Sequence, residues 1–433
     1  MSWDLHDYRL VTASAYPGMM APLTEHASCI CVLAGDADRQ LAGGPVASLS
    51  LEALDGVRRR WRFGDVARLA DFVPKVLAEA PADDRPLLLI PPRASCAWEN
   101  AAASWPADVS LAASPTRIVE PIAEDKIFVR HELDRLGVPV PEAMVLKAAD
   151  VDFGTISRRL GTPFVLQSPN GAGGQGTYLI RAAADLDAAL VRQPHVEGWL
   201  ASRFSGETTI NVAGVVHADG TQLLPVSVQA SGITELGFGF GGYCGSEFIA
   251  DGVPAGVVAQ AYRHAAVIGE WLRGRGHRGL YGVDIAVEGH DLAALEVNPR
   301  IQGSSWLLSR AQQRQGRTAC LESHVQALLG RPLGVQGDAA APEELDRPGN
   351  HLIVRWQHPA AVVRDVPVAL STANVTVTAL PAVGVTLLPG AILGRLESEH
   401  GLATPDGHGL TERARGVVDA LLAGIGTEPA PAR

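Results

Sequence analysis

The sequence predicts a mixed chain, α/β at its amino end and α+β at its carboxy end, on three observations. Short apolar runs near the amino terminus are separated by a stretch of helical periodicity, the pattern of a buried parallel sheet with its crossover. The middle holds strand-like segments joined by glycine turns. After residues 332–349, which are rich in Pro, Gly, Ala and acids and read as a linker, further strands and one helix form a small α+β unit over 350–433.

In order, residues 27–33 and 86–90 are the two buried strands, and Cys29 and Cys31 are thiols buried in the first. Between them, residues 64–80 carry Val66, Leu69, Ala70, Val73 and Leu77 at helical spacing, with Pro74 placed to kink the helix. Residues 121–136 form a helix with Ile122, Val129, Leu133 and Leu136 near one face, closed by Gly137 and barred from continuing by Pro139 and Pro141. Lys126 lies in its first turn, where the helix dipole favours negative charge, so a solvated surface lysine is the plain reading.

A strand at 162–167 leads into Gly171, Gly173, Gly174 and Gly176, and a second strand follows at 177–180. The glycines fit the GxGxxG spacing. A dinucleotide fingerprint, however, needs a helix straight after them to receive the pyrophosphate, and the next helix starts only near Ala182. No Gly-Lys dipeptide occurs, which excludes a Walker A loop. What is left is a hairpin tip whose backbone N–H groups can fold over phosphates, or an ordinary mobile hairpin. Residues 198–213 read as two strands around a Ser205-Gly206 turn, and residues 223–229 as another. Residues 231–247 mix glycines, aromatics and acids, and read as a substrate-side loop or a glycine-rich crossing. A helix spans 254–273.

The next segment is a hairpin, with Val283, Ile285 and Val287 alternating on one side and Ala293, Leu295 and Val297 on the other. If Gly289-His290-Asp291 is a three-residue loop, Glu288 pairs with Leu292 and Asp284 falls opposite Glu296. Asp284, Glu296 and Asn298 then share one face, an all-oxygen set suited to a hard cation such as Mg²⁺. A solvated polar face without a metal is the bland alternative. Asn298-Pro299 ends the strand and sets the Arg300 guanidinium beside the cluster, where an anion would sit. A helix follows to about residue 329. Strands are expected at 351–356, 375–380 and 383–388, a helix at 411–422, and a disordered tail from 426.

The run Glu296-Val-Asn-Pro-Arg300 after a Gly-Val-Asp strand resembles the magnesium-binding end of the ATP-grasp superfamily, and Arg300-Ile-Gln302 resembles its biotin carboxylase branch. Over about 120–305 the other motifs arrive in family order. The resemblance implies an ATP-grasp fold: an α/β domain at 1–119, a nucleotide and metal domain at 120–331 with a flexible lid near 145–210, and the carboxy-terminal α+β domain. It implies that Lys126, Gln167 and the glycine loop contact nucleotide phosphate. Leu200, Ala201 and Ser202 would present backbone to the adenine edge, and Glu207 would lie near the ribose. ATP with Mg²⁺, or Mn²⁺ in its place, would be the cofactors, held on Asp284, Glu296 and Asn298. Arg300 would hold a substrate carboxylate and steady developing charge, next to Gln302, Gly303 and Ser304. Two departures stand out: Gln167 occupies a position usually held by lysine, and Ser202 one where glutamate is common.

The implied reaction joins a small-molecule carboxylate to an amine through an acyl phosphate. The alternatives are a biotin carboxylase-like carboxylase and a non-catalytic nucleotide binder. Against the carboxylase, Gly303-Ser304 stands where that branch has Val-Glu; the binder draws on Gln167. A net charge of -11 argues against nucleic acid as a partner. No apolar run approaches the ~18 residues of a membrane span, and the amino terminus has no apolar signal core, so a cytoplasmic protein is expected. Five cysteines without CxxC or zinc spacing offer no disulfide framework. Relatives of this kind are often homodimers.

Overall fold

The computed structural model describes residues 4–430, apart from 38–45, 63, 81, 107, 170, 172–173, 249–251, 335–341, 343, 368–369, 371 and 373. The expected α/β character of the amino-terminal part is present. A five-stranded, all-parallel sheet runs in the order Ala47–Ser50, Cys29–Ala34, Arg9–Ser14, Leu87–Ile90, Val109–Leu111. Its central strand, Arg9–Ser14, was not foreseen; nothing in six residues with one arginine and two hydroxyls marks them as a strand buried on both faces. Cys29 and Cys31 lie buried in the adjacent strand, where burial pushes both thiols up to about 12. The helical stretch at 64–80 is two pieces, a 3₁₀ helix Asp65–Phe72 and an α-helix Val73–Glu79. Pro74 sits in the first turn of the second, where its missing N–H has no partner to lose, so it starts a helix rather than kinking one.

The helix expected at 121–136 is also divided. Thr116–Glu124 contains Pro121, and a new helix, Lys126–Arg135, begins where the Asp125 side chain accepts from Phe128 N. Beyond it, a four-stranded antiparallel sheet orders as Ala143–Lys147, Gly198–Arg203, Phe164–Gln167, Thr177–Ile180. Ile156 and Leu160, from the helix Phe153–Leu160, and Leu186 and Ala189, from the helix Ala183–Arg192, share a core with it. The two strands flanking Ser205-Gly206 are not partners of one another. Gly198–Arg203 belongs to this small sheet, whereas Thr208–Val216 is central to the largest one. Gly206 is the joint between them: its φ is +100°, and a Cβ there would lie 2.3 Å from the Val287 carbonyl oxygen.

The largest sheet runs Asp291–Asn298, Gly279–Glu288, Thr208–Val216, Ser227–Ser231, Tyr243–Glu247, Asn350–Arg355, Ile392–Ser398, Thr376–Thr378. The carboxy end of the glycine-rich 231–247 segment is therefore regular structure, since Tyr243–Glu247 is the strand that joins the carboxy-terminal strands to the rest. Gly245 permits this; a Cβ there would meet the His351 carbonyl oxygen at 1.9 Å. The helix Ala255–Gly274 covers one face. The tail does not stay disordered where it is described: Gly426–Pro429 pairs with Ala361–Asp365 in a second four-stranded sheet, whose far edge is Val57–Arg58 from the amino-terminal part.

Glu247 shows what burial in this sheet costs. Its carboxylate accepts from Leu402 N and Ala403 N, yet burial outweighs both and raises it from 4.5 to about 7. Below pH 4.5 folded and unfolded forms are both protonated at this site. As pH rises towards 7 only the unfolded form ionises, so stability falls, by on the order of 3 kcal/mol in all. Glu247→Gln is expected to flatten the decline of Tm between mildly acidic and mildly alkaline buffer, while parallel pH profiles for the two proteins would contradict the assignment.

Candidate functional site

The hairpin forms, with Asp284 directly opposite Glu296, Val283 opposite Val297 and Gly282 opposite Asn298. Its turn differs from expectation. Glu288 pairs with Asp291 rather than Leu292, leaving only Gly289-His290 in the loop, and a bulge that leaves Leu295 unpaired restores the register beyond it. The bulge turns Leu295 into a cleft rather than into the apolar face with Ala293, so it lines the same space as Ala286 and Glu296. That cleft has a volume of about 440 Å³ and lies between the small antiparallel sheet and the largest one.

Asp284 is the most constrained group in it. Asn211 Nδ2 and Gln229 Nε2 each donate to its Oδ1 at 2.6 Å, and Asn298 Nδ2 reaches its Oδ2 at 3.3 Å. Even so, burial first and the facing Glu296 second hold its carboxyl well above the usual range. Two apposed acids whose repulsion already favours a proton are a setting that a divalent cation would relieve. Among the described residues no three His, Cys, Asp or Glu gather, so the donor set here is two carboxylates and the Asn298 amide, which suits a hard, oxygen-seeking ion. Asn298 Oδ1 accepts from Arg300 Nη2 at 2.9 Å and has a second lone pair left for a cation.

Arg300 is half-buried, and desolvation lowers its pKa against the pull of Glu296 and Asp284. Gln302 fixes the turn that carries it, donating from Nε2 to the Asn298 and Arg300 carbonyls at 3.0 and 2.7 Å. Gly282 makes room for this, since a Cβ there would sit 2.5 Å from Gln302 Oε1. Gly303 similarly leaves space for the Tyr243 ring, and the buried Ser304 precedes the helix Ser305–Arg314.

The nucleotide residues expected from sequence fall unevenly. Gln167, Gly174, Ser202 and Glu207 line the cleft, and Gln167 Nε2 donates to Thr177 Oγ1 at 3.3 Å. Ser202 Oγ is buried there with no hydrogen-bond partner. Leu200 and Ala201 do not line it. Their strand is paired on both sides and their side chains are buried, and the part of this segment that lines the cleft runs from Ser202 through Phe204. Lys126 supports the loop rather than facing the cleft, with Nζ donating to the Gly171 carbonyl at 2.7 Å. Gly171 and Gly174 lie where side chains would collide, with Gln175 O and Gly241 O respectively, and Gly176 also has positive φ. Gly173 lies outside the described residues.

Several cleft residues escaped sequence reading. Arg130 is one helical turn beyond Lys126 on the same face, a spacing that could have flagged it; burial pushes it down to about 10. Gln229, Phe240 and His408 arrive from distant segments and carry no local signal. His408 bridges the Ser231 and Glu207 carbonyls, tying the carboxy-terminal region to the joint at Gly206.

Among the described residues no helix is long and apolar enough to cross a membrane. Residues 123–304 match the ATP-grasp domain family. The formate-dependent phosphoribosylglycinamide formyltransferase of Burkholderia pseudomallei is 26% identical over 261 residues, 58% of this chain and 61% of that protein. The D-alanine--D-alanine ligase of Desulforudis audaxviator is 27% identical over 182 residues, 41% of this chain and 58% of that one. The chain thus spans about three fifths of the length of these curated relatives. Among solved structures, an L-amino acid ligase from Bacillus licheniformis superposes with a TM-score of 0.60 at 14% identity, over 99% of this chain and 100% of that one. A carboxyaminoimidazole ribonucleotide synthase from Aspergillus clavatus does so with 0.59 at 16%, over 98% of each. At such identities these likenesses speak for the fold alone. The family match assigns residues 123–304 to an ATP-grasp domain, and the likeness to the solved structures is one of fold.

Proposed function

We propose that the chain is an ATP-dependent carboxylate–amine ligase, which activates a small-molecule carboxylate as an acyl phosphate and joins it to an amine with release of ADP and phosphate. The observation that carries this reading is the apposition of Asp284 and Glu296 in one cleft, with Asn298 hydrogen-bonded to Asp284 and Arg300 to Asn298. Asp284, Glu296 and Asn298 would hold Mg²⁺ or Mn²⁺. When bound, the ion supplies charge neutralisation at the nucleotide phosphates.

The chain's own residues then have distinct tasks. Backbone N–H groups of the glycine hairpin cover the phosphates, and Lys126 fixes the base of that hairpin through Gly171. Gln167 offers a neutral hydrogen bond where a lysine would offer charge. Arg300 orients the acceptor carboxylate, so that its oxygen takes the γ-phosphoryl group, and stabilises the charge that develops when the amine attacks the acyl carbon and phosphate leaves. Positioning and electrostatics carry such a transfer, and no nucleophilic side chain is required. Small-molecule carboxylate and amine substrates, a cytoplasmic setting and a homodimer belong to the same proposal. The carboxylase reading remains weaker, because Gly303-Ser304 provides no acid beside Arg300.

Glu296→Ala is expected to lower ATP-dependent ADP release, measured over a panel of amino acids, by about three orders of magnitude or more while circular dichroism stays unchanged. Turnover at the parent rate would remove the metal assignment. Gln167→Lys is expected to keep or tighten ATP affinity in a calorimetric titration, since it adds a charge in the cleft wall; a severe loss would mean that residue 167 faces something other than phosphate.

A further inference from the structure

A second cleft, of about 800 Å³, borders the other flank of the glycine hairpin and shares Gly174, Thr177 and Phe240 with the first. In a chain of net charge -11 its walls are unusually basic. Arg60 and Arg62 come from the amino-terminal part, Arg181 and Arg192 from the small antiparallel sheet and its helix, and Arg355 from the largest sheet. Among the described residues Asp185 is the one carboxylate in this lining. Its Oδ2 is already engaged, accepting from Arg181 N and Ala182 N at 2.9 and 3.0 Å.

These arginines are placed by the fold. Arg58 is fully buried against Glu52 at 2.7 Å and donates to the Ala379 carbonyl at 2.6 Å, which pins the strand that delivers Arg60 and Arg62. Arg355 lies 4.2 Å above the Phe238 ring, with its Nε buried and lacking a hydrogen-bond partner, and among the described residues no carboxylate pairs with it. Burial first and the neighbouring Arg60 second push it down to about 10. A buried guanidinium donor without an acceptor is costly, and cations drawn from three parts of the chain repel one another. An anion seated among them would relieve both.

We propose that this cleft binds one of the two non-nucleotide substrates, and that this substrate carries at least two negative charges, as a phosphate ester or as a polycarboxylate. Calling the ligand a substrate rests on the ligase reading; the binding itself does not. The cleft's size suits a small metabolite, and its border with the glycine hairpin sets the ligand beside the nucleotide phosphates.

The test is calorimetric titration of the full chain, saturated with Mg²⁺ and a non-hydrolysable ATP analogue, with glycerol 1-phosphate, tricarballylate and neutral glutaramide. One or both anions should bind, glutaramide should not, and added salt should weaken the anion. Arg62 and Arg192 are exposed, so R62Q/R192Q should fold normally and keep its affinity for the analogue, yet lose about 10-fold or more in anion affinity; R355Q should do the same. Binding of the phosphate alone or of the tricarboxylate alone would assign the class. Binding of neither anion, binding indifferent to both variants, or binding abolished by the nucleotide analogue would overturn the proposal. Because no turnover is read, anion binding by a chain that forms no ADP would leave the cleft assigned and would count against the ligase reading alone.

Discussion

Two carboxylates face each other across one hairpin, where burial and its partner's charge hold Asp284 well above the usual carboxylate range, and much of the site is arranged around that opposition. Asp284 and Glu296 are brought together by strand register, and the amides of Asn211, Gln229 and Asn298 surround Asp284 with donors. Burial first and the facing Glu296 second favour protonation of Asp284. On the proposed reading, a divalent cation held here would reverse that balance.

The glycines make the rest of the site possible by close approach rather than by flexibility. Gly282 lets Gln302 lie against the hairpin and lock the Asn298–Arg300 turn, and Gly206 lets the joint between two sheets pass over Val287. Gly174 brings the glycine hairpin onto Gly241, in a loop of the largest sheet. The two clefts therefore meet along one hairpin, so a shift of that hairpin would reshape both.

The local patterns in the chain were legible where periodicity and chemistry agreed. Period-2 alternation disclosed the hairpin and its acid pair, and turn chemistry located the glycine loop. Failures came where longer-range packing decides. The short strand Arg9–Ser14 is specified by its neighbours, the two-residue turn is compensated by a bulge at Leu295, and the tail strand Gly426–Pro429 exists because Ala361–Asp365 offers it an edge. The arginine cleft was invisible, because Arg60, Arg192 and Arg355 are separated by long stretches of chain.

The central claim is that the Asp284–Glu296 face holds the metal that serves the nucleotide. The most direct measurement is a crystal structure grown with Mn²⁺ and a non-hydrolysable ATP analogue, with anomalous scattering collected to locate the ion. The account predicts a manganese peak coordinated by Glu296, Asn298 and Asp284 and by phosphate oxygens of the analogue. A nucleotide bound with its metal away from these three residues, or in this cleft with no metal on them, would contradict it.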